Sequence, residues 1–162
     1  MIENIHPIRF VLPVSVALAL FTFSIVQADQ NPVGHPRLIE VFTTAKEPVK
    51  SKVAISQQWG YRKMELQVYE LDGIQRTEAQ LTKGLTADPK QAKRVVVQRI
   101  QELDEHVTSA IQNAAVGLAK AMQYGIDRYP AIVFDGAVVV YGLTDLIAAA
   151  DHYQTWQTET QP

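Results

Sequence analysis

The chain contains no cysteine among its 162 residues, and this excludes a thiol nucleophile, a CxxC redox couple and any cysteine-ligated zinc or iron–sulfur centre. Charge of one sign is also lacking: 15 Lys+Arg stand against 17 Asp+Glu, giving a net charge of -2. Such a balance, without a block of like charges, leaves no basic footprint for counterion-releasing contact with nucleic acid. The four histidines, His6, His35, His106 and His152, are scattered, with no i, i+4 pair and no HExxH to hold a metal. Ser56 and Ser109 lack a nucleophile elbow, and there is no glycine-rich phosphate loop. Asp104 and Glu105 precede His106, but neighbours on a helix point apart, so they read as a charged solvent face. The expectation is a chain with no catalytic residues, cofactor, metal or small-molecule substrate.

The first 28 residues differ from the rest. A short region with His6 and Arg9 leads into an apolar stretch from Phe10 to Val26, closed by Val26-Gln27-Ala28, whose small and short residues suit a signal peptidase. We read 1–28 as a signal peptide cut after Ala28, the alternative being an uncleaved membrane anchor. Both place the working domain outside the cytoplasmic membrane, and a bacterial-type signal points to the periplasm. Residues 29–37, with Pro32, Gly34 and Pro36, form a flexible leader, residues 38–156 one domain, and 157–162 a polar tail.

Within the domain, Leu38-Ile39-Glu40-Val41-Phe42-Thr43 is too densely apolar for a strand exposed on one face, so it reads as central and doubly covered. A modest helical pattern follows Pro48 through Val49, Val53, Ile55 and Trp59, and a second strand runs over residues 65–71 to Asp72-Gly73. Residues 74–81 are weakly amphipathic. Asp88 fits an N-cap ahead of Pro89. Val96, Ile100, Leu103, Val107, Ile111, Ala114, Leu118 and Met122 then predict one apolar stripe along a helix ended by Gly125. A single helix over 89–124 would reach about 54 Å at ~1.5 Å per residue, too long for so small a domain, so a bend near residues 113–117 or a protruding end is expected. Last come two strands around Asp135-Gly136, a pair suited to a tight hairpin turn, and a helix capped by Thr144.

This order, strand–helix–strand–long helix–Pro–strand–hairpin–strand–helix, is that of an α/β thioredoxin-like domain: a central mixed sheet with a C-terminal β-hairpin and helix, one long helix and here no CxxC. In that fold the proline facing the loop after the first strand is usually cis. Here it would be Pro130, facing Thr43-Thr44-Ala45-Lys46-Glu47-Pro48. Through Ile39-Glu40-Val41-Phe42-Thr43-Thr44, Val68-Tyr69-Glu70-Leu71-Asp72 and the block from Tyr129-Pro130 to Asp145-Leu146, the chain resembles the thioredoxin-like proteins of integrating conjugative elements. It is more distantly similar to the TrbC-like pilus-assembly proteins of F-type systems. The resemblance implies a role in conjugative DNA transfer beside a type IV secretion apparatus, with other proteins of that apparatus as partners, while the charge balance argues against direct nucleic-acid contact. The alternative is a periplasmic chaperone or assembly factor for pilin or envelope subunits. Thr43, Thr44, Lys46, Tyr129 and Pro130 are the candidate partner-binding residues, weighed against a solvated loop whose threonines cap the next helix and an ordinary strand-opening proline. Trp59, Tyr61, Tyr124 and Tyr129, near element ends, are read mainly as core and secondarily as interface anchors.

Overall fold

The computed structural model describes residues 5–7, 35–59 and 64–160. Almost all of the expected signal segment, most of the leader, and Tyr61 lie outside the described residues.

Among the described residues, five strands form one sheet: β1 (Ile5–Pro7), β2 (Leu38–Thr43), β3 (Glu65–Glu70), β4 (Ala131–Phe134) and β5 (Val138–Tyr141), in the order β1-β5-β4-β2-β3. β2 and β3 are parallel, and every other neighbour is antiparallel. The four strands β3-β2-β4-β5 thus have the order and directions that the thioredoxin-like reading requires. β1 adds a short fifth strand from within the segment read as a signal.

Helix α1 (Lys52–Trp59) and helix α5 (Leu146–Thr160) cover one face of the sheet, where Ile39, Val41, Ile132, Phe134, Val138 and Val140 pack against Ile55, Trp59, Leu146 and Tyr153. The helix runs past Trp156 to Thr160, into the polar residues that the sequence assigned to a tail. It is capped by Asp145 rather than Thr144, for the Asp145 carboxylate accepts from Ile147 N–H at 2.9 Å and Ala148 N–H at 3.5 Å. These backbone donors hold the Asp145 carboxyl below its usual range, with help from the Ser51 side chain.

The other face carries α4 (Glu105–Tyr124), with α2 (Gly73–Thr82) beside it and α3 (Pro89–Gln101) beyond. The single long helix is therefore two, and the break falls at residues 102–104, not near 113–117. Asp104, read as part of a charged face, is the N-cap of α4 and accepts from Val107 N–H at 2.8 Å. Asp88 caps α3 as expected, and Gly125 ends α4 at φ +68.

The apolar stripe is not a buried seam. Ile100, Leu118 and Met122 are exposed, Met122 by 82%, and α3 buries no residue. Of the stripe on α4 only Ala114 is buried, and the helix turns this and the small residues Gly117 and Ala121 to the sheet. A Cβ on Gly117 would lie 2.5 Å from the Cβ of Tyr69, so the helix approaches β3 more closely than any larger residue permits.

Candidate functional site

Pairing of Phe42 with Ala131 puts Thr43 and Pro130 at the same end of adjacent central strands. The Tyr129–Pro130 bond is cis, Pro130 is buried, and Tyr129 is 40% exposed. The Pro130 carbonyl accepts from Gly142 N–H at 2.8 Å, tying this end to the residue after β5. Sheet register thus places Thr43 and Pro130 at one end of the sheet, with Thr44 and Lys46 in the loop that follows the one and Tyr129 directly before the other.

The loop after β2 is held by its own polar groups. Thr43 is buried, and its hydroxyl donates to the Glu47 carbonyl at 2.5 Å, while its carbonyl accepts from Leu71 N–H at 2.9 Å. Glu47 N–H donates to the Thr44 carbonyl at 3.0 Å, and Ala45 N–H to the Asp72 carboxylate at 3.1 Å. The threonines do not cap the next helix, since α1 begins only at Lys52. Thr43 is a structural pin whose proton goes to a carbonyl. Lys46 and Tyr129 are the exposed members of the set.

Behind this end lies a polar cluster that sequence reading did not single out. Glu40, in the middle of β2, is completely buried under α4. Its carboxylate receives a hydrogen bond from the Lys120 ammonium, one from Tyr124 Oη at 2.5 Å, and a long one from Tyr69 Oη at 3.4 Å. The hydrogen bond to Glu40 raises the Lys120 pKa. Burial, then the Glu40 carboxylate, pushes the Tyr124 phenol up to about 12, and burial raises Tyr69 as well. A sequence signal existed: a charge inside a strand read as doubly covered must find partners. What it could not supply was their identity, since Lys120 and Tyr124 are 80 and 84 positions away.

Two further side chains do structural work at a distance. Asn113 of α4 accepts from Glu70 N–H at 2.9 Å and donates to the Val68 carbonyl at 2.8 Å, standing in for a strand along the outer edge of β3. Asp135, at φ +50 in the hairpin turn, accepts from Arg37 N–H at 2.8 Å and Leu38 N–H at 2.9 Å.

A cleft of about 420 Å³ between β3, α2 and α4 is lined in part by Glu70, Arg76, His106 and Ser109. Glu70 and Arg76 form an ion pair at 2.6 Å there. His35 lies elsewhere, with its ring 5.6 Å from that of Trp59, and His152 is half-buried on α5. Among the described residues, no three His, Asp or Glu gather in a metal-holding group, and no helix is long and apolar enough to cross a membrane. Trp59 is core; Tyr124 is partly buried on Glu40.

Residues 39–159 match the model of a family described as "Protein of unknown function (DUF1525)". No curated protein and no solved structure matches the chain.

Proposed function

The chain belongs to the DUF1525 family, whose model spans its whole folded core, and from the site in that core we propose that it is a non-enzymatic, exported component of a conjugative type IV secretion apparatus, acting through protein contacts. One observation carries this reading. At the sheet end where a redox thioredoxin carries CxxC, this chain holds Thr43 pinned to a carbonyl and offers the exposed Tyr129 and Lys46. An aromatic ring and a lysine on a rigid, strand-anchored edge form a contact surface. The resemblance to thioredoxin-like proteins of integrating conjugative elements supplies the process, and the apolar stretch from Phe10 to Val26, closed by Val26-Gln27-Ala28, supplies the export.

The test is the transfer frequency of the element with the gene deleted, then restored in trans. A large fall that the intact gene restores is expected. Restoration by Tyr129→Ala combined with Lys46→Ala should be much poorer, and a photocrosslinker at position 129 should capture another protein of the apparatus. Unchanged transfer after deletion would overturn the reading.

A further inference from the structure

We propose that the outer edge of β5 is a strand-acceptor site for an extended, apolar segment of another polypeptide, and that residues 5–7 occupy it in the unprocessed chain. The sheet has two ends in its strand order. At β3, the Asn113 side chain already takes the Glu70 N–H and the Val68 carbonyl, so an added strand would have to displace it. At the other end, β5 is Val138-Val139-Val140-Tyr141, a short strand without the charge or proline that commonly keeps an edge from pairing.

That edge is occupied by the chain itself. Ile5, His6 and Pro7 pair antiparallel with Val140, Val139 and Val138. Removal of residues 1–28, which rests on the export reading above, takes this cover away. The chemistry that replaces it is a main-chain ladder with alternating side chains. Residues opposite Val138 and Val140 lie on the face covered by α1 and α5, and the residue opposite Val139 on the face covered by α4. The three valines favour β-branched or aliphatic neighbours across the ladder. A partner's extended segment, entering antiparallel as residues 5–7 do, meets both requirements.

The test uses the full chain with a specific protease site placed within residues 29–34, folded in mild detergent, then cut and freed of its N-terminal piece. Amide hydrogen exchange at residues 138–141 should speed up about tenfold on removal while residues 131–134 stay protected. A synthetic peptide of residues 1–10 should restore protection, and the same peptide methylated on its main-chain nitrogens should not. Unchanged exchange, or equal effects of the two peptides, would overturn the proposal. So would acceleration through β4, which would make residues 5–7 an indispensable strand of the fold. A dimer of the cut chain by sedimentation would put a second copy on the edge and overturn the choice of a foreign segment. None of these readouts depends on transfer frequency, so the proposal and the functional reading can fail independently.

Discussion

Glu40 is buried completely, yet its carboxylate is paired on both oxygens, by Lys120 and Tyr69 on one and Tyr124 on the other. A buried ion pair adds little over an apolar core, but removing one partner strands the other. Lys120→Met leaves the carboxylate buried with only phenols to serve it. Glu40→Gln keeps an acceptor for Tyr124 and frees Lys120, whose side chain is 35% exposed, to turn outward. Lys120→Met should therefore cost about 2 kcal/mol, less than a fully enclosed pair because water reaches the lysine, and Glu40→Gln about 1 kcal/mol. Urea unfolding of the two variants checks this, and a larger loss for Glu40→Gln would contradict the account.

At the scale of elements, the edges of the sheet are managed by different means. The Asn113 amide satisfies one donor and one acceptor on β3. Asn113→Ala should cost about 1–2 kcal/mol from two lost hydrogen bonds, with the two main-chain groups turning to water. It should also give concentration-dependent association as a free β3 edge appears. Denaturation and sedimentation velocity read the two effects separately. The helix elements show why periodicity alone misplaced the seam. Val96, Ile100, Leu103, Val107, Ile111, Ala114, Leu118 and Met122 are spaced to meet a core, but close approach to β3 kept only Ala114 of them and added Gly117 and Ala121. The break at residues 102–104 was legible in Asp104 as a capping residue, had its neighbours not suggested a charged face.

Across the whole molecule, tyrosines lie under both helical layers. Tyr124 is pushed up to about 12 by burial and by Glu40, and Tyr153, stacked on Phe134 at 4.7 Å, up to about 12 by burial and by Asp135. Lys120 is raised by its bond to Glu40. Each group releases its proton at lower pH when unfolded, so above about pH 10 the unfolded chain holds fewer protons and stability falls as pH rises toward 12. The contribution is fully present below the unfolded pKa. Stability measured across this range should fall steadily, and Tyr124→Phe with Tyr153→Phe should flatten the slope. A slope unchanged by the double variant would locate the alkaline sensitivity elsewhere.

The absence of thiol chemistry, the α/β class, the order of the strands from Leu38 onward, the αL turn at Asp135-Gly136 and the caps at Asp88 and Gly125 were all determined by the sequence alone. Each depends on composition, local period or a backbone preference of one or two residues. Tertiary structure alone decided which face of α4 is buried, which residues serve Glu40, how Asn113 closes β3 and that Ile5–Pro7 pairs with β5. Those outcomes join residues tens of positions apart or more, where contact is set by the packing of layers and the register of strands. Local pattern carries no information about such separations.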